Sequence, residues 1–117
     1  MSQFAEKRKF PRVQAHFKLQ LRFSSNSKLA NAFANDISRG GIFLQTNTLL
    51  GPNDIVDIFF SLPGRRKNLK VKSQVVRLIE MDDPNNSSKN IYGAGLIFMD
   101  ISKKVKRSIA KYTKTIL

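Results

Sequence analysis

The sequence predicts an all-β domain, a small antiparallel barrel or sandwich of five or six strands followed by one helix. Three observations carry that expectation. Apolar and polar residues alternate at a period of two along most of the chain, turn-forming clusters recur at short intervals, and helical periodicity takes over only after Ser102. At 117 residues, 41% of them hydrophobic, the chain reads as one domain able to bury an apolar core without staples.

Val13, Ala15, Phe17, Leu19, Leu21 and Phe23 alternate with Gln14, His16, Lys18, Gln20 and Arg22, which gives a first strand with one buried face. Ser24 to Lys28 is a turn cluster, and the chain from about Leu29 to Ile37 returns as a second strand. Ile42 to Thr46 forms a short third strand. After the turn Gly51-Pro52-Asn53-Asp54, the residues Val56, Ile58, Phe60 and Leu62 alternate as a fourth, which Pro63-Gly64 ends. The fifth runs from about Leu69 to Met81 with Val71, Val75 and Ile79 on one face. Following a polar loop from Asp82 to Lys89, Ile91 to Met99 is the sixth, with Gly93 and Gly95 on the same face, permitting a close backbone approach or a bend. Ser102 is a suitable N-cap for a helix over about 102–116, whose stripe is Val105, Ile109, Tyr112 and Ile116. The expected organisation is a flexible arm over 1–12 and the folded domain over 13–117.

Charge narrows the range of partners. Twenty-one Lys and Arg face eight Asp and Glu, a net +13, which favours anionic partners. The excess sits in three clusters, Lys7 to Arg12, Arg65 to Lys72 and Lys103 to Lys114. The absence of cysteine excludes a disulfide framework, a thiolate zinc site and a cysteine nucleophile, and fits a reducing compartment, with the cytoplasm the default. The polar, basic first residues do not resemble a secretory signal, and no apolar run approaches membrane-spanning length.

Two short patterns suggest a ligand. Arg8 and Arg12 stand four apart in an arm that Pro11 keeps from being helical throughout. An arginine fork donates two parallel hydrogen bonds to a phosphate or to the O6 and N7 acceptors of guanine. Asp36, at a strand end, supplies a carboxylate able to accept from guanine N1–H and the exocyclic amine, with the Ser38 hydroxyl beside it. The same two residues also suit a simple turn cap. Gly40 and Gly41 provide either positive φ for the turn or room for a flat ligand.

Glu6-Lys7-Arg8-Lys9-Phe10-Pro11-Arg12-Val13 followed by Asp36-Ile37-Ser38-Arg39-Gly40-Gly41 resembles the PilZ domain family, receptors for cyclic di-GMP, with R-x-x-x-R and D-x-S-x-x-G both intact. The resemblance extends over nearly the whole chain, through Gly93-Ala94-Gly95-Leu96-Ile97-Phe98 and the final helix. It implies a six-stranded antiparallel barrel with the arm closing over ligand on the outer surface. By the same resemblance, Arg8 and Arg12 hold phosphate and guanine, Asp36 and Ser38 hold a guanine edge, and Gly41 leaves space for the base. It also implies a conformational signal to a downstream protein partner, in motility, exopolysaccharide or biofilm control. One departure stands out: many members that bind an intercalated ligand pair carry arginine where this chain has Lys7, which keeps the charge and loses the stacking plane. One or two ligand molecules per site are both compatible with that.

Catalysis has little footing in the sequence. His16, the only histidine, lies on the polar face of a strand without a marked acid partner, and Ser38 lacks a nucleophile-elbow context. Asp54, Asp57, Asp82 and Asp83 match no calcium loop and suit turns and surface, so neither a metal nor a cofactor is expected. Two rival functions follow from charge alone. A nucleic-acid-binding module ranks low because no aromatic platform can be told from the core phenylalanines. A ligand-independent adaptor would engage an acidic protein or anionic membrane surface through the basic helix.

Overall fold

The computed structural model describes residues 13–82 and 90–116. Its strands are β1 (Val13–Phe23), β2 (Leu29–Ile37), β3 (Gly41–Thr46), β4 (Ile55–Phe60), β5 (Leu69–Asp82) and β6 (Asn90–Asp100), followed by helix α1 (Lys103–Ile116). Every neighbouring pair is antiparallel, and the order β1-β2-β3-β6-β5-β4 closes because β1 also pairs with β4. The closed six-stranded antiparallel barrel implied by the PilZ resemblance is the architecture formed, and closure removes the unpaired edges of a sandwich, the alternative that strand pattern alone left open.

Alternation puts the apolar residues inside. In β1 every second residue from Val13 to Leu21 is buried, and the interior is filled by Leu21, Ile37, Ile42, Leu44, Val56 and Ile58, all fully excluded from solvent. Each such side chain contributes about 1.5–3 kcal/mol by leaving water. Phe17 and Phe60 stack inside, with ring centroids 5.6 Å apart. Helix α1 docks its own stripe on this core through Val105, Ile109 and Tyr112; the Ile116 side chain lies outside the described ones. Ser102 caps the helix as expected, its Oγ accepting from Val105 N–H at 3.2 Å and its carbonyl from Lys106 N–H at 2.9 Å. Burial pushes the Tyr112 phenol pKa above its usual value.

Among the described residues the turns fall where the sequence puts them; of the expected loop from Asp82 to Lys89, Asp82 is the last residue of β5 and residues 83–89 lie outside the described ones. Asp54 closes the fourth-strand turn, its Oδ2 accepting from Gly51 N–H at 2.7 Å while its own N–H donates to the Gly51 carbonyl at 3.2 Å. Asp57, in β4, takes a 2.9 Å bond from the Arg22 guanidinium on the neighbouring strand. Parity fails within β5. Val75 pairs with Leu96 and Arg77 with Gly95, so Val76 is the extra residue of a bulge. Ile79 therefore does not share the inward face of Val71 and Val75, because one added residue flips all that follow.

Candidate functional site

The D-x-S-x-x-G run forms the end of β2, the β2–β3 turn and the first residue of β3. Regular alternation would point Asp36 inward, two residues after the buried Ala34. It does not, because Ala34 pairs with Leu44 and Asp36 with Phe43, leaving Asn35 as an extra residue. The bulge turns the half-buried Asp36 outward and returns Ile37 to the core, where it is fully buried.

The turn itself is tied down on three sides. Ser38 N–H donates to the Gly41 carbonyl at 2.9 Å, Gly40 N–H donates to Ser38 Oγ at 3.2 Å, and Phe98 N–H of β6 donates to the Gly40 carbonyl at 3.0 Å. Ser38 is only 6% exposed, so its hydroxyl holds the turn that presents Asp36. Of the two uses expected of the glycines, positive φ is not found. Neither Gly40 nor Gly41 adopts a left-handed conformation; among the glycines only Gly64 does, at φ 78°. A Cβ on Gly41 would run into the backbone carbonyl oxygen of Leu96. Gly41 is thus required for the close approach of β3 to β6, and the space it leaves is taken up by the barrel's own backbone.

Cross-strand pairing extends the site beyond the motif. Gln14 pairs with Asp36, Asp36 with Phe43, Phe43 with Gly95, and Gly95 with Arg77. These residues make one row across β1, β2, β3, β6 and β5 on the barrel exterior. At about 4.8 Å per strand, roughly 14 Å separates the backbones of Asp36 and Arg77. Between them lies a low floor: a Cβ on Gly95 would sit 3.4 Å from Arg77 Cβ and 3.8 Å from Phe43 Cδ2, so the missing side chain opens a shelf flanked by a ring and a guanidinium stem. A bulge adjoins each charged end, at Asn35 and at Val76. Sequence reasoning missed Phe43 and Arg77. Gly95 in mid-strand was the available signal, but its partners depend on a register that a bulge had shifted.

Of the site residues expected from sequence, Asp36, Ser38, Gly40 and Gly41 come together in this hairpin, with Ser38 and Gly41 shaping it. Arg8, Arg12 and Lys7 lie outside the described residues. The row does begin at β1, directly after the arm, with Val13 paired to Ile37 and Gln14 to Asp36.

A closed six-stranded barrel with a helix on its core and a filled interior defines a small barrel domain whose candidate site is the row on its outer wall. The chain belongs to the PilZ domain family, whose model matches residues 6–115. The fold is shared with the Bacillus subtilis inhibitor of motility MotI/DgrA at 17% identity and a TM-score of 0.71, covering 93% of this chain and 50% of that one. It is shared with the PilZ domain with c-di-GMP of YcgR from Escherichia coli at 14% identity and a TM-score of 0.70, covering 94% and 91%. The K. pneumonia MrkH–c-di-GMP complex aligns at 19% identity and a TM-score of 0.72, covering 92% and 51%. This chain therefore spans about half the length of MotI/DgrA and of MrkH. No curated protein matches it in sequence.

Proposed function

We propose that this domain is a cyclic di-GMP receptor without enzymatic turnover, acting in the cytoplasm and signalling to a partner protein. The observation that carries the reading is the outward Asp36, turned by the Asn35 bulge into a row with Phe43, Gly95 and Arg77. A purine laid on the Gly95 shelf would meet the Asp36 carboxylate on its N1–H and amine edge. Arg77 approaches from the opposite end, where a guanidinium fork suits either a phosphate or the O6 and N7 edge. Arg8 and Arg12 close over the ligand from the arm, with Lys7 adding charge. Membership of the PilZ family and the titles of the YcgR and MrkH structures, both of which name c-di-GMP, support the choice of ligand.

Ligand binding orders the arm against the row, an order-disorder switch that changes the exposed surface. Next to the row, β5 and β6 expose the apolar side chains of Val76, Ile97 and Met99, and this is where a partner would read the change. A micromolar dissociation constant corresponds to about −8 kcal/mol, within reach of a few charge-assisted contacts of about 1–3 kcal/mol each, less the ordering of the arm.

Titration calorimetry with cyclic di-GMP tests the assignment and counts ligand per site. Asp36→Ala and Arg12→Ala are each expected to weaken binding by at least 100-fold with the thermal unfolding transition kept. Unchanged affinity in both variants would overturn the site.

A further inference from the structure

We propose that the cleft between the β4–β5 connection and α1 binds the phosphodiester backbone of a single-stranded nucleic acid. This inference does not depend on the cyclic dinucleotide reading, since it uses none of those residues.

Two basic clusters far apart in sequence meet here. Arg65, Arg66 and Lys67 from the connection face Lys104, Arg107 and Lys111 from the helix across an open cleft of about 800 Å³, whose lining contains no carboxylate. The three helix positions are spaced i, i+3 and i+7 and so share one face, spanning roughly 10 Å along the axis. Leu62 and Leu69 in the lining are buried at 1% and 5% exposure. The cleft therefore offers charge and little apolar contact.

That composition discriminates among polyanions. Protein–protein interfaces are depleted of lysine and of charge at their centres, whereas interfaces with nucleic acid are strongly positive. A bilayer is flat and rewards exposed apolar side chains, and this site is concave with its leucines covered. Phosphates along a flexible strand match both the shape and the charge.

A second hollow favours the single-stranded form. It shares Leu69 with the cleft and is lined by Lys18, Phe59 and Asn68 on the outer wall. Phe59 is half-buried there, with Arg22 Cζ 5.1 Å and Lys70 Nζ 5.9 Å from its ring centre. Phe33, paired with Lys18, is 50% exposed. Sequence alone could not separate these rings from the core phenylalanines; burial does. Phe59 thus lies in the hollow next to the cleft, and Phe33 lies one strand beyond Lys18, opposite it. Outward aromatics along a cationic path are how unpaired bases are held, and a duplex has no unpaired base to offer them.

Fluorescence anisotropy of the full chain with a labelled mixed-sequence 20-nucleotide single strand tests this. Contact with about five phosphates predicts an affinity loss of about 100-fold between 50 and 200 mM salt. Arg66→Glu with Arg107→Glu should weaken binding at least tenfold while cyclic di-GMP affinity stays within about twofold. Arg66→Lys with Arg107→Lys should stay within about threefold of the unmodified protein, because backbone phosphates read charge. Phe33→Ala should cost about fivefold or more. The proposal is overturned by unchanged affinity in the charge-reversed variant or in Phe33→Ala, by tighter binding of the matching duplex, or by equal binding of poly-glutamate or phosphatidylserine vesicles.

Discussion

Around Asp36 the backbone is pinned at each step: a bulge at Asn35 sets its direction, Ser38 holds the turn, and Gly41 lets β3 press against β6. Beneath α1, six cations from two elements converge on an open cleft with no carboxylate in its lining. The first region carries few charges at set positions, the second many charges drawn together from two elements. Rigid, sparse polar groups suit a small ligand of defined shape, because selectivity comes from hydrogen bonds that only one arrangement satisfies. Dense cations suit a polymer, because neutralising repeated phosphates does not need a fixed register.

The largest expected effects test whether the two regions are separable. Asp36→Ala should remove cyclic di-GMP binding and leave the affinity for a single strand within about twofold, while charge reversal at Arg66 and Arg107 should do the opposite. Loss of both activities in either variant, with folding intact by circular dichroism, would break the distinction. Next in size is the effect on the fixed backbone. Gly41→Ala forces a methyl into the Leu96 carbonyl, and denaturant melts should show a loss of about 1–3 kcal/mol. A stability change below about 0.3 kcal/mol would mean that β3 and β6 can part without cost, and that the site is less rigid than its hydrogen bonds imply.

Smaller effects sharpen the boundaries of the site. Arg77→Ala should weaken cyclic di-GMP binding by about tenfold, the worth of one charge-assisted contact, with no change in melting temperature. Full affinity in that variant would confine the site to the β2–β3 hairpin and the arm. Ser73, fully buried on β5, has a hydroxyl without a hydrogen-bond partner among the described residues. Ser73→Ala should raise stability by up to about 1 kcal/mol and leave both binding activities unchanged. A loss of stability instead would point to a partner for that hydroxyl.

The strand content, the turns, the N-cap at Ser102 and the helix stripe were legible from the residues themselves, because each depends on a local period or a local hydrogen bond. Asp36 was singled out for its neighbours in sequence, and the structure keeps it on the surface through a bulge that no periodicity announces. Positive φ was the wrong use to expect of Gly41 for a related reason: conformational freedom is a local property, whereas the approach of Leu96 to Gly41 is not.

By itself the sequence determined that this chain is a β domain with one docked helix, a large positive charge and two family motifs. The closed barrel was implied by the family motifs, but tertiary structure alone decided that Phe43, Gly95 and Arg77 line up with Asp36, and that Arg65 to Lys67 meet Lys104 to Lys111. The physical reason is that register is a property of pairs of strands. One inserted residue at Asn35 or Val76 changes which side chains share a face, and that choice is made by the packing of the whole barrel.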